Sequence, residues 1–150
     1  MRLSTKSRYG LRAVFDIAYN FQGIPAQVQD ISRRQQISPR YLEQIFQGLK
    51  KAGILNSKRG PQGGYSLAKT PEQITVLDVI KATEQDLKVV DCVGTGRKKR
   101  RNSNCSFDGS CVTQGVWTEA TELLSELFAK MSIASLCKKG EGMGLKKERC

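Results

Sequence analysis

The chain has 150 residues, and 25 Lys and Arg against 14 Asp and Glu give it a net charge of +11 with no His. That length excludes a second large domain, and 39% apolar with 26% charged residues excludes a disordered or fibrous chain. Without His there is no Ser-His-Asp or Cys-His pair, no HExxH zinc site and no imidazole base, which removes much hydrolytic and metalloenzyme chemistry.

No stretch approaches the roughly 20 apolar residues that span a bilayer. Arg2, Lys6, Arg8, Arg12 and Asp16 stand where a signal peptide would need its apolar run, so a cytoplasmic protein without membrane contact is expected. Residues 1–69 carry 12 basic and 3 acidic side chains, which marks them as the polyanion-facing part.

From the N-terminus, Leu11, Val14, Phe15 and Ala18 follow helical spacing and predict one amphipathic helix over about 5–22, ended by Gly23 and Pro25. A short second helix holds Val28 and Ile31 on one side and stops before Ser38-Pro39, where Ser can cap and Pro can open a third helix. That helix runs from Pro39 to about Ala52, burying Leu42, Ile45, Phe46 and Leu49, with Arg40, Glu43, Gln44, Gln47 and Lys50 on its polar face and Gly53 as its C-terminal cap. Two helices joined by a short turn, the second with a hydrogen-bonding face, match a helix-turn-helix.

Residues 54–58 and 65–67 then read as two short strands around Arg59-Gly60-Pro61-Gln62-Gly63-Gly64, a hairpin wing tipped by Lys58 and Arg59. Gly60 and Gly63 supply turn conformations there and would also let the backbone approach a phosphate closely. Thr75 and Asp78 have capping-box spacing and start a helix to about Thr83.

Residues 84–111 lose periodicity. Gly94-Thr95-Gly96 within them lacks the third glycine and the preceding strand of a nucleotide loop, and the run Arg97-Lys98-Lys99-Arg100-Arg101 reads as solvated loop or as an extra phosphate contact. Periodicity returns from Val112 to Met131, where Val116, Ala120, Leu123, Leu127 and Met131 form one stripe and Trp117, Leu124 and Phe128 a second beside it. A face that broad predicts packing against a second helix, most simply in a symmetric homodimer. The chain therefore divides into a winged helix-turn-helix domain (1–84), a cysteine-bearing loop (85–111), a dimerisation helix region (112–137) and a mobile basic tail (138–150). The expected class is mainly α with a small β-hairpin wing.

Five Cys, an odd number, argue against a disulfide framework in a reducing compartment. Cys92, Cys105 and Cys111 fall in or beside the aperiodic loop, while Cys137 and Cys150 lie outside it. Three thiolates on one loop suit iron-sulfur or zinc ligation, since soft ligands select those metals.

The opening Met1-Arg2-Leu3-Ser4, the stretch Ser38-Pro39-Arg40-Tyr41-Leu42-Glu43-Gln44-Ile45-Phe46 and the wing Arg59-Gly60-Pro61-Gln62-Gly63-Gly64-Tyr65 resemble the bacterial winged helix-turn-helix regulators typified by IscR, NsrR and CymR, over about residues 1–136. The resemblance implies a homodimeric transcription regulator, not an enzyme, on a palindromic double-stranded DNA operator. It places the face of Arg40, Tyr41, Glu43 and Gln44 on major-groove bases and Arg59 in the minor groove, roles that suit these side chains. Ser38, Lys58, Gly60 and Gly63 complete the candidate DNA-facing set.

Cluster-binding members of that family place three Cys in this loop, which implies a 2Fe-2S or 4Fe-4S cluster on Cys92, Cys105 and Cys111. The gap from Cys92 to Cys105 is longer here, and the fourth ligand departs from the family: there is no His after the third Cys, and Arg8 stands where an acidic residue of the first helix would align. Asp108, Asp91, Cys137 or an outside ligand are the alternatives. The expected function is a repressor whose operator affinity follows cluster supply, iron, oxidants or nitric oxide. The alternatives are a cofactor-free regulator that senses by cysteine oxidation or enzyme docking, and a cluster-carrier or interaction module that does not bind DNA.

Overall fold

In a computed structural model, residues 3–84, 87–93, 107 and 110–148 are described. The first helix, α1 (Thr5–Asp16), starts where Ser4 Oγ accepts the Ser7 N–H at 3.3 Å. The predicted single helix over 5–22 is α-helical only to Asp16 and continues as a π-helical extension, Ile17–Phe21, that stops at Gln22 in the left-handed region. All five residues of the extension are buried, which one stripe of a regular α-helix does not allow. The wing and the last helix pack on it from outside.

Next come α2 (Val28–Gln35) and α3 (Pro39–Lys51), separated by Gln36 in the left-handed region and by buried Ile37. Gly53, at φ +69°, lets its own N–H reach the Lys50 carbonyl (3.0 Å) and the Ile54 N–H reach that of Leu49 (2.9 Å), closing α3. The antiparallel hairpin β1 (Leu55–Lys58) and β2 (Gly64–Leu67) pairs Leu55 with Leu67 and Lys58 with Gly64.

In α4 (Val76–Glu84) the expected capping box is formed: Asp78 Oδ2 accepts the Thr75 N–H at 2.9 Å, and Thr75 Oγ1 accepts the Asp78 N–H at 3.2 Å. The main core runs through α1, its extension, α2, α3 and β1, with Val14, Ile31, Leu42, Ile45, Phe46 and Leu49 all shielded from solvent.

The long helix α5 (Gln114–Lys130) packs on α4. Its apolar residues are covered unequally, and not along the two predicted stripes, since Met131 of the first is covered and Trp117 of the second is exposed. Leu124, Phe128 and the following Met131 cover Val76, Ile80 and Leu87, whereas Val116, Leu123 and Leu127 stay 60%, 61% and 52% exposed and Trp117 is also exposed. No helix among the described residues is long and apolar enough to cross a membrane.

The segment from Lys138, expected from its composition to be a mobile tail, begins inside α6 (Ile133–Gly142), capped by Ser132 Oγ on the Ser135 N–H. Beyond α6 the Tyr19 hydroxyl donates to the Leu145 carbonyl (2.7 Å), and the Glu148 N–H donates to Asn20 Oδ1 (2.9 Å). The reason is Gly140: a side chain there would press on the Phe15 and Tyr19 rings, so its absence lets α6 sit close against the π extension.

Glu84 ties the start of the chain to the end of α4. Its Oε1 accepts the Ser4 N–H and the Ser7 hydroxyl, each at 2.7 Å. Burial works against its ionisation, but the hydrogen bonds from Ser4 and Ser7 outweigh burial and hold it below the ordinary carboxylate range. A carboxylate with a depressed folded pKa contributes stability that is complete above the unfolded value, about 4.3, and is lost as pH falls through the folded one. Glu84→Gln should therefore flatten the loss of stability seen on acidification from pH 5 to pH 3. Parallel curves for the variant and the parent in chemical denaturation would contradict it.

Candidate functional site

The α3 face is set by its cap. Ser38 Oγ accepts the Tyr41 N–H at 3.3 Å with Pro39 at the first helical position, so the first turn is fixed without partners from elsewhere. Ser38, Arg40, Glu43, Gln44 and Gln47 are exposed on one side, opposite Leu42, Ile45, Phe46 and Leu49. Tyr41 differs from its neighbours: it is half-buried and stands edge-on to Tyr9, 5.9 Å between ring centres. Arg12 lies over the Tyr9 ring and donates from Nε to Gln35 Oε1 (3.1 Å) and from Nη2 to the Gln35 carbonyl, which clamps α1 to the end of α2.

The wing is locked to α3 by the Phe46 and Tyr65 rings, whose centres are 4.5 Å apart. Burial first, and then the Glu43 charge on α3, push the Tyr65 phenol up. A third backbone segment supports the hairpin. Ala26 and Tyr65 exchange two 2.8 Å hydrogen bonds, and Gln27 Nε2 donates to the Pro61 carbonyl at 3.3 Å. No periodicity announces a one-residue bridge, so Ala26 and Gln27 were not legible as wing supports.

Lys58, Arg59, Gly60, Pro61 and Gln62 are all exposed at the wing tip. Two glycines behind the tip have no substitute. A Cβ on Gly63 would lie 2.2 Å from the Lys58 carbonyl oxygen, and one on Gly64, at φ +145°, would lie 2.3 Å from that of Ala26. Gly60, at φ +109°, has open space around it, so its requirement is conformational alone.

An ion pair that no sequence pattern announced joins α1 to α2. Asp16, at the end of α1, accepts from Arg34 Nη2 (2.7 Å) and Nε (3.0 Å) and from Gln35 Nε2 (2.8 Å), with the two charged side chains 1% and 7% exposed. Arg34 also stacks on Phe21. The first helix of the reading motif is thereby bolted to α1.

Of the cysteines, Cys92 is exposed and Cys111 half-buried, on either side of the undescribed stretch, and Cys105 lies outside the described residues, as do Asp108, Cys150 and the run Arg97–Arg101. The Cys111 thiol is 3.2 Å from Thr113 Oγ1; that hydroxyl first, then the Thr113 and Gln114 amides at the start of α5, hold its pKa below the ordinary thiol value. Cys137 is placed elsewhere, on α6 against the main core, and burial followed by the Glu141 charge pushes its thiol up. Asp91, exposed, is paired with Lys88 at 2.9 Å. Among the described residues no three Cys, Asp or Glu side chains gather as a metal-holding group.

A capped reading helix locked to a glycine-bent basic hairpin defines a winged helix-turn-helix, the class of protein that lays its second helix in a DNA groove. Residues 3–139 match the Rrf2 family, described as an iron-dependent transcriptional regulator, and the chain belongs to that family. It is 37% identical over 136 residues to the transcriptional regulator IscR of Klebsiella pneumoniae, covering 91% of this chain and 79% of that protein, and 36% identical to IscR of Escherichia coli O1:K1, covering 91% and 80%. Among solved structures it resembles T. potens IscR (TM-score 0.75, 33% identity, 99% of this chain and 94% of that one) and CymR, the global cysteine regulator of B. subtilis (TM-score 0.72, 26% identity, 93% and 98%). The protein is thus an IscR-like transcriptional regulator that binds DNA, not an enzyme.

Proposed function

We propose that the chain acts in the cytoplasm as a homodimeric repressor on a palindromic operator, and that its operator affinity responds to an iron-sulfur cluster held by Cys92, Cys105 and Cys111. What supports the DNA-reading half is that Arg40, Glu43 and Gln44 on α3 and Lys58 and Arg59 on the wing are all exposed, with the wing packed on α3 through Tyr65 and Phe46. Arg and Gln suit guanine and adenine, Glu accepts from cytosine, and an Arg at a wing tip suits a narrow minor groove. Arg59→Ala should weaken specific operator binding roughly 10- to 100-fold, on the order of 1–3 kcal/mol, in a salt-controlled titration. Glu43→Ala should relax base preference more than it lowers affinity, because a carboxylate repels phosphates while rejecting wrong bases. Unchanged affinity in the first variant removes the wing from the mechanism.

For the sensing half, the donor set fits the group: three thiols, one of them exposed and one held toward the thiolate by Thr113. When bound, a cluster supplies a centre that reacts with oxidants and nitric oxide. Asp91 is a less suited fourth ligand for its pairing with Lys88, and Cys137 for its packing against the core.

Protein prepared without oxygen should be coloured, with visible charge-transfer absorption. Cys→Ser at position 92, 105 or 111 should bleach it, and Cys137→Ser should not. Colourless, iron-free protein after reconstitution overturns the cluster. The lowered Cys111 thiol then favours the second reading, sensing by cysteine oxidation, and the DNA-binding assignment stands on its own residues.

A further inference from the structure

A cavity of about 750 Å³ opens between the π extension, the segment after β2 and α6. That volume suits a small organic ligand, and π-helical segments recur at functional sites. Its wall carries both signs of charge, with Lys69 and Lys138 on one hand and Glu72 and Glu141 on the other, around the Tyr19 ring and the Cys137 thiol. Glu141 stands one helical turn after Cys137 on α6, and Glu72 lines the same cavity from the segment after β2. Lys69 and Lys138 enter no ion pair among the described residues.

One ammonium is already seated there. Lys147, from the segment after α6, places Nζ 3.1 Å from Glu141 Oε1 and 5.3 Å from the centre of the Tyr19 ring. An aromatic face beside a carboxylate is a receptor for an ammonium, and the chain fills it with its own side chain.

We propose that this cavity binds a small molecule carrying both an amine and a carboxylate, of the amino-acid class, whose ammonium replaces that of Lys147 between Tyr19 and Glu141. The second carboxylate, Glu72, adds to the amine end, and Lys69 and Lys138 supply cations for the carboxylate. Neither a bare hydrocarbon nor a simple anion would satisfy both sets. Displacing Lys147 loosens the segment that follows α6, which among the described residues is also held by the Tyr19 hydroxyl on the Leu145 carbonyl, the Gly144 N–H on the Glu141 carbonyl, the Leu145 N–H on the Gly140 carbonyl, the Glu148 N–H on Asn20 Oδ1, and a 3.5 Å contact from Arg34 Nη1 to the Glu148 carbonyl.

Calorimetry on the full chain with 6-aminohexanoate and with hexanoate as probes tests the site without reference to DNA or to a cluster. The zwitterion should bind and hexanoate should not. Lys147→Ala, which removes the internal competitor at a half-exposed position, should bind 6-aminohexanoate about tenfold more tightly than the parent, the scale of one ion pair plus one cation–π contact. Glu141→Gln should bind it about tenfold more weakly. In the parent, bound 6-aminohexanoate should speed hydrogen exchange at the Leu145 and Glu148 amides. Absence of 6-aminohexanoate binding in both the parent and Lys147→Ala, equal binding of hexanoate, or weaker binding by Lys147→Ala each overturns the proposal.

Discussion

Asp16→Ala should lower the free energy of unfolding by about 3–5 kcal/mol, the usual result of removing one member of a buried ion pair. Asp16 is buried at the end of α1 and receives two hydrogen bonds from the Arg34 guanidinium in fork geometry and a third from Gln35. The variant leaves Arg34 nearly buried, stacked on Phe21 and without its carboxylate. Against a typical total of about 5–15 kcal/mol this is a large fraction, readable as a shift of the urea midpoint at unchanged slope. Exchanging Arg34 for Met in the same chain should restore part of the loss, since two matched apolar side chains leave no orphan charge. A loss below about 1 kcal/mol would mean that solvent reaches the pair.

In the homodimer proposed above, Leu123→Asp or Leu127→Asp should separate the subunits into folded monomers. Both side chains lie on the uncovered stripe of α5, more than half exposed in the single chain. A carboxylate there costs the isolated subunit little. Between two such helices it would be buried without a partner, at a cost sufficient to separate them. Operator affinity should fall in parallel, because two reading helices must be held about 34 Å apart to meet successive major grooves. Sedimentation that still shows a dimer would move the interface off this face. Leu124→Asp is the contrasting case: it strikes the contact with α4, and should unfold the region around Val76 and Ile80 rather than separate subunits.

The amino-acid sequence by itself determined the reading motif and its wing, because the signals that build them are local. Ser38 and Pro39 start α3, Gly53 ends it, Thr75 and Asp78 cap α4 through each other, and Gly63 of the wing answers to backbone atoms across its own hairpin, while Gly64 answers to Ala26, far along the chain. The exposed face of α3 was legible for the same reason, since a helix face follows from spacing alone; Tyr41 is drawn off that face, by a ring 32 positions away. Cysteine type and loop position were legible too, but whether a thiol stands free or packs against the core was not, and Cys137 shows the difference.

What tertiary structure decided lies in contacts between distant residues. Asp16 meets Arg34, Ser4 and Ser7 meet Glu84, and Tyr19 and Asn20 hold the segment near Leu145 and Glu148. The same holds for α5, whose apolar residues look alike in sequence until α4 covers Leu124 and Phe128 and leaves Val116, Trp117, Leu123 and Leu127 exposed. A periodic pattern records that a side chain is apolar, not which neighbour will cover it. A charged or small residue in the pattern records still less, because burying Asp16 or closing α6 on Gly140 pays off only once a partner far along the chain has arrived.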